Sequence, residues 1–381
     1  MSIFGGLVAR GELGNFDARL PFEWLLGGLW PWEPSCIFFD KDSKMPAVQT
    51  QFEDFHSRIK LDEDDDKAKL REKRDTLLQA LKDNLSDDVP SFTPFNQGSY
   101  SMHTGVLPPD RNYDIDVGLI FDCQKDKYPD PVVLKKKVRD ALNSNGRTVV
   151  IRRPCVTVNY MRDDKPEYHV DLAIYVKRDG ELLDLAKGKE NSGDAYKIWD
   201  AADPKKLTKL ICTAFEDSTD LAQYRRCIRY LKRWRHTQFR NGGAPLSISL
   251  TVAAKQWFQP RFETSGRAAD LLALLDWVEA ILSRFVQSHT DEDGWHERLK
   301  VALPVTPYND TMGWMTKEQM ETVKEKLEAL RDALSDAYDE DLPEDACKIL
   351  NKQFGEDFQI PEKAATAKAV SAPVISTGNS A

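Results

Sequence analysis

Asp114 and Asp116 stand one residue apart in the run YDIDVGLIF, and Asp171 sits within EYHVDLAIYV. Residues two apart in a strand point to the same side. Asp114 and Asp116 therefore share one face, while Ile115, Val117 and Leu119 share the other. In the second run Val170, Leu172, Ile174 and Val176 form the apolar face, and Asp171 projects opposite them. If the two strands are neighbours with their apolar faces on the same helices, three carboxylates converge on one patch. Left alone, such a group repels itself and a pKa must rise. A divalent cation removes the conflict. Mg²⁺, with Mn²⁺ as an alternative, takes oxygen ligands in near-octahedral geometry, commonly carboxylates completed by substrate phosphates. With two such ions, one activates an attacking hydroxyl and the other stabilises a leaving pyrophosphate.

Upstream lies QGSYSMHTG. Gly98 lets the backbone approach a phosphate closely, and Ser99 with adjacent N–H groups at a helix start can hold triphosphate oxygens. Each feature alone has an ordinary reading: a DxD pair as a solvated strand face, a Gly-Ser pair as a helix cap. The conjunction, with apolar alternation around every acid, favours a site.

The elements that must position these groups follow from pattern. The stretch Asp64–Leu85 places Leu70, Leu77, Leu78, Leu81 and Leu85 at helical spacing, with acids at the N-terminal end where the dipole favours them. A turn-rich SDDVPSFTPF follows, then three β-type runs: YDIDVGLIF, TVVIRRPCVTVNYM and EYHVDLAIYV. Helical periodicity dominates the second half, in KKLTKLICTAFED, DLAQYRRCIRYLKRWRHTQF and GRAADLLALLDWVEAILSRFVQSH. Thr316 and Gln319 form a capping-box pattern ahead of another helix, and PEDACKILNKQF gives the last. These patterns predict an α+β chain: a sheet-bearing lobe over 45–200, a helical lobe over 201–360, and a cleft between them holding the site. Residues 1–44 are an N-terminal extension, apolar and Trp-rich but broken by Glu23, Glu33, Gly and Pro. It is too short and too interrupted for a membrane span and has no signal-peptide pattern. Residues 361–381 lack apolar periodicity and read as a flexible tail.

Composition narrows the function. The chain has 381 residues and a net charge of −9, which disfavours non-specific binding to nucleic acid or membrane, so a phosphate-bearing ligand must be held locally. Six scattered cysteines with no CxxC pair read as reduced thiols of a cytoplasmic protein. One local source of positive charge is the helix of DLAQYRRCIRYLKRWRHTQF, where Arg225, Arg229, Lys232 and His236 form a stripe opposite Tyr224, Cys227, Ile228, Leu231 and Trp234. The ordinary reading of that stripe is a solvated, snorkelling face. The sharper one is that a member of it reaches a triphosphate. His103 and His169 read as hydrogen-bonded structural groups rather than bases.

The series QGSYSMHTG, YDIDVG and EYHVDLAIYV resembles the polymerase-β nucleotidyltransferase signature. More specifically, it resembles the cGAS/DncV-like nucleotidyltransferases (CD-NTases) of the bacterial anti-phage systems called CBASS, over roughly Met45 to Phe358. The loop from Ser99 to Asp114 stands at the long end of the superfamily spacing. The resemblance implies a metal-dependent enzyme joining NTPs, ATP among them, into a cyclic di- or trinucleotide that acts on a downstream effector. It implies that Asp114 and Asp116 bind both metals, and that Asp171 serves the metal activating the acceptor hydroxyl. It implies that Gly98 and Ser99, with Lys232 and Ser247 (Ser249 as the fallback), hold the nucleotide's phosphates. It also raises a ubiquitin-transfer-like partner conjugating the C-terminal tail, against which simple disorder of that tail is preferred. The segment LPVTPYNDTMGW, 303–314, resembles one that precedes a late helix of the family's C-terminal lobe and is read as architectural. The alternatives are a nucleotidyltransferase acting on RNA or another acceptor, or a tail-conjugated protein active only when primed.

Overall fold

A computed structural model describes residues 48–61, 66–107, 113–143, 147–162, 165–290 and 294–361, with side chains over the same ranges except 66–70, 113–114, 161–162 and 165–167. The N-terminal extension and nearly all of the expected tail lie outside the described residues. In chain order the elements are α1 (Gln49–Ile59), α2 (Asp66–Asn84), β1 (Phe92–Asn96), α3 (Gly98–Ser101), β2 (Tyr113–Phe121), α4 (Pro131–Leu142), β3 (Arg147–Ile151), β4 (Val156–Arg162), β5 (Lys165–Lys177), β6 (Leu183–Lys187) and β7 (Ile198–Ala202). There follow α5 (Pro204–Cys212), α6 (Ser218–Gln238), α7 (Ser247–Trp257), α8 (Asp270–Leu282), β8 (Phe285–Thr290), β9 (Gly294–Leu299), α9 (Lys317–Asp339) and α10 (Pro343–Phe354).

Alternating β-branched and aromatic residues form a mixed sheet in the order β1-β2-β5-β4-β3, with β6 added to β5 and β7 to β6. The β2–β5 pairing is parallel and every other pairing is antiparallel. On one face Ile115, Val117 and Leu119 of β2 meet Val170, Leu172 and Ile174 of β5, covered by Leu77 and Leu81 of α2 and Leu134 and Val138 of α4. The apolar faces thus share the same helices, as the acid-bearing geometry required. The expected single run TVVIRRPCVTVNYM is instead two strands, β3 and β4, folded at Arg152–Pro154. Pro154 fixes the turn and has no N–H to continue a ladder. Beneath that turn the fully buried Lys135 donates to the carbonyls of Arg152 (2.6 Å), Arg153 (3.0 Å) and Gly188 (2.9 Å). All three ammonium hydrogens are used, which makes the burial tolerable, and burial pulls its pKa down to about 8.

A second core is built by helices. Trp234, Tyr230 and Leu231 of α6 pack with Trp277 and Leu274 of α8, Leu327 and Leu330 of α9, and Phe354 of α10. Although α1 precedes the sheet, its Phe52, Phe55 and Ile59 belong to this helical core. Phe55 stacks on Tyr230 with centroids 5.4 Å apart, and Phe52 meets Phe358 at 5.1 Å. The capping box forms as patterned, Thr316 accepting from the Gln319 amide and Gln319 returning a bond to the Thr316 amide. The long helical run ending FVQSH stops at Leu282, and its last residues become β8, paired with β9. No described helix is long and apolar enough to cross a membrane. The five cysteines among the described residues are free thiols.

Candidate active site

The parallel β2–β5 register sets Asp116 opposite Asp171 and Asp114 opposite His169. Asp116 and Asp171 therefore face the same side of the sheet in adjacent strands. The backbone of Asp114 lies two residues before Asp116 on that face, and its side chain is outside the described ones. Among the described residues no three His, Cys, Asp or Glu side chains are grouped to hold a metal. The Asp116–Asp171 pair nonetheless suits a hard divalent cation, because both groups offer oxygen ligands on the same side of adjacent strands.

The chain enters this face from β1. Gln97 donates its amide to the Asp116 carbonyl at 3.1 Å, and its side-chain oxygen accepts from the Tyr175 hydroxyl at 2.9 Å. Tyr175 is buried on the acid-bearing side of β5, and burial together with the Asp116 charge pushes its phenol well above the usual range. Gly98 then takes φ +68° at the start of the single-turn α3. A Cβ built on Gly98 would lie 1.9 Å from Asp116 Oδ2, so the loop can pass the carboxylate only at a glycine.

After α3 the segment 103–107 makes only an isolated bridge, Val106 to Lys60, with Leu61 N donating to Gly105 O, and α6 supplies further donors to its carbonyls. Arg229 donates to the carbonyls of His103 and Gly105. Lys232 Nζ donates to Thr104 O at 3.1 Å and Thr104 Oγ1 at 3.0 Å, and Arg233 donates to Leu107 O at 2.7 Å. Arg229 and Lys232 are only 6% and 4% exposed, so the solvated-face reading of the basic stripe does not hold at these two positions. The stripe faces an irregular backbone that needs cations. His103 reaches Arg229 through a left-handed turn, φ 56°, which follows the last turn of α3.

Arg229 is held from behind by α1. Its Nη1 lies 3.1 Å from His56 Nε2. A guanidinium only donates, so His56 accepts there and is neutral. Burial first, then the Arg229 and Arg226 charges, lower the His56 pKa to about 3. The folded value lies below the unfolded value near 6.5, so between those pH values the unfolded chain binds the extra proton. Stability is therefore expected to be full above pH 6.5 and to decline as pH falls toward 3, by about 2–3 kcal/mol between pH 7 and pH 4 from this group. Urea unfolding at several pH values checks it; His56→Gln, which keeps an acceptor for Arg229, flattens that part of the profile, and an unchanged profile rejects the assignment.

Gly98, Ser99, Asp116, Lys232 and Ser247 line one cavity of about 380 Å³. That volume falls in the range of small-molecule sites. His169 also lines it, while Asp171 stands beside it opposite Asp116 and is not part of the lining. Ser247 opens α7 at the cavity wall, whereas the fallback Ser249 is buried and donates to Thr311 O at 3.2 Å. The segment 303–314 contributes no lining residue. Thr104, Arg235 and Thr251 line the cavity without having been singled out from the sequence. Arg235 was within reach of sequence reasoning, lying one turn past Lys232 minus one residue in the same basic run. Thr104 and Thr251 carry no spacing signal.

Two family descriptions match the chain in sequence order. "Cyclic GMP-AMP synthase DncV-like, nucleotidyltransferase domain" matches residues 90–175, and "Cyclic GMP-AMP synthase, C-terminal domain" matches residues 222–365. The chain belongs to the DncV-like nucleotidyltransferases. The first match spans β1 to β5, with Gly98, Ser99 and all three aspartates; the second spans most of α6 and the helices that follow. A cyclic GMP-AMP synthase of Escherichia albertii is 30% identical over 195 residues, an alignment covering 49% of this chain and 40% of that relative. The chain thus spans less than half of that curated relative. Among solved structures, the Bradyrhizobium diazoefficiens CD-NTase CdnG in complex with GTP superposes with a TM-score of 0.62 at 15% identity, covering 82% of this chain and 96% of that one. A Vibrio cholerae di-nucleotide cyclase (DncV) mutant in complex with ATP, GTP and 5MTHFGLU2 gives 0.59 at 18% identity, covering 83% and 98%. These likenesses establish the DncV-like fold, a sheet lobe with a separate helical lobe.

Proposed function

We propose that the protein is a divalent-metal-dependent nucleotidyltransferase that joins NTPs, ATP among them, into a cyclic di- or trinucleotide, a cytoplasmic signal to a downstream effector in anti-phage defence. The observation that carries the reading is the register pairing Asp116 with Asp171 beside a cavity that also collects Gly98, Ser99, Lys232 and Ser247. Family membership supports the same chemistry, since the relative aligned over part of its length is a cyclic GMP-AMP synthase.

In this reading Asp114, Asp116 and Asp171 hold the cation. When bound, the divalent ion neutralises the carboxylates, lowers the pKa of the acceptor hydroxyl and offsets charge on the departing pyrophosphate. The rest is positioning by the chain. Ser99 and Ser247 offer hydroxyls to the triphosphate, and Lys232 supplies a nearby positive charge. Gly98 keeps the loop against Asp116, so the phosphates lie next to the carboxylates. A hydroxyl held in line with the α-phosphorus then attacks, and a second transfer closes the ring. For the C-terminal tail simple disorder is the preferred reading and a conjugating partner the alternative, which a blocked C-terminus tests.

The test is direct. Pure protein is incubated with each radiolabelled NTP and with all four, in Mg²⁺ or Mn²⁺, then treated with phosphatase and the products separated. A metal-dependent, phosphatase-resistant product is expected, reduced at least ~100-fold by Asp114→Ala/Asp116→Ala. A product that persists in the double variant, or none under any NTP and metal combination, overturns the proposal.

A further inference from the structure

Thr157 of β4 stands directly across from Asp171 in the antiparallel β4–β5 register. It is 1% exposed, on the acid-bearing side of the sheet, and its hydroxyl donates to Asp171 Oδ1 at 2.5 Å. A threonine hydroxyl has one hydrogen, and here it is committed to the carboxylate. Cys155, 5% exposed, places its Sγ 3.5 Å from Thr157 Oγ1. Thr157 thus stands between the Cys155 thiol and Asp171 Oδ1. One carboxylate oxygen, Oδ1, is engaged by β4, while β2 sets Asp116 on the other flank of Asp171.

We propose that Thr157 is a positioning residue, resting on the nucleotidyltransferase reading: its hydroxyl holds Asp171 in the orientation that presents Oδ2, beside Asp116, to a divalent cation. The physical need is plain. Two carboxylates on neighbouring strands repel, and a side chain with free χ rotation relieves the repulsion by turning away. A short bond from a buried, rotamer-restricted threonine opposes that turn, since β-branching leaves its χ1 little freedom. Partners that orient metal ligands from behind commonly change metal affinity 10–100-fold when removed.

The distinguishing variants are Thr157→Val, which keeps the shape and removes the hydroxyl, and Thr157→Ser, which keeps the hydroxyl. The first readout needs no turnover: Mn²⁺ binding followed by electron paramagnetic resonance, in the presence of an NTP analogue that cannot be cleaved between the α- and β-phosphates. Thr157→Val is expected to weaken Mn²⁺ binding about 10–100-fold, and Thr157→Ser to stay within about threefold of the unaltered protein. The second readout is product formation against Mg²⁺ concentration. Thr157→Val is expected to raise the half-saturating Mg²⁺ by a similar factor and to recover much of kcat at saturating metal, whereas a merely structural role would lower kcat without moving the metal requirement. Mn²⁺ binding by Thr157→Val equal to that of the unaltered protein overturns the inference. So does a Thr157→Ser variant as impaired as Thr157→Val with a normal melting temperature. The Mn²⁺ readout separates this inference from the functional proposal: loss of binding in Thr157→Val supports the positioning role even if the unaltered protein forms no cyclic product.

Discussion

Gly98→Ala is expected to reduce product formation by at least ~100-fold while leaving the protein folded, the scale of loss that follows when a reacting group is displaced by about 1 Å. The new methyl would lie 1.9 Å from Asp116 Oδ2 and 2.6 Å from its Cγ, far inside any tolerated contact. The residue also sits at φ +68°, where a side chain is disfavoured. Two routes of relief exist, and both damage the site. Either Asp116 turns out of line with Asp171, or the loop retreats and carries Ser99 away from the carboxylates. The stability cost is about 1–2 kcal/mol, because the neighbouring sheet and α6 contacts remain. Product assays alongside thermal unfolding check it: a variant within threefold of the parent activity would mean that the observed contact between loop and carboxylate has no part in turnover.

Asp270→Ala is expected to cost about 3–5 kcal/mol of stability, the penalty for removing one partner from a buried charge pair. The Asp270 side chain is fully buried at the start of α8. It accepts two bonds from Arg226, at 2.7 and 2.8 Å, one from the Tyr230 hydroxyl at 2.9 Å and one from the Gln223 amide at 3.1 Å. Its own backbone amide donates to Gln49 Oε1 at 2.8 Å, which ties α1 into the same network. Alanine strands the Arg226 guanidinium and two further polar groups in a space that water reaches poorly. Chemical unfolding monitored by tryptophan fluorescence measures the loss, and a shift below about 1 kcal/mol would show that the surrounding helices open to hydrate Arg226. Asp270→Asn, which retains an acceptor, is expected to lose less.

The acid-bearing strands were legible because they satisfy two constraints at once. Burying one face of β2 and β5 demands apolar residues at alternate positions, so aspartates at the intervening ones stand out. The sequence also placed α10, α2 and the capping box of α9 closely, since each combines a clean period with a recognisable start. It did not reveal that α6 turns its basic stripe inward, because periodicity reports which residues share a face and not what the face meets. Arg229 and Lys232 look solvated until the main-chain carbonyls of residues 103–105 are set against them. Thr157 was hidden for another reason: the turn at Pro154 was not resolved within a run that reads as continuously β, so its position opposite Asp171 had no signal. The Trp-rich extension and the terminal tail, the subjects of two further expectations, lie outside the described residues.

The hold of α6 on residues 103–107 falls mostly on main-chain oxygens. Every amino acid carries that oxygen, so the grip is indifferent to which side chain occupies most positions along the loop. Val106 faces the cavity and takes no part through its side chain in this hold. Mutation can therefore reshape the pocket wall at Val106 while the loop stays moored, and an arginine lost from α6 has no counterpart in the loop able to restore it. Under random mutagenesis the two partners should diverge in tolerance: the helix invariant at its cations, the loop open to drift that retunes what the pocket accepts.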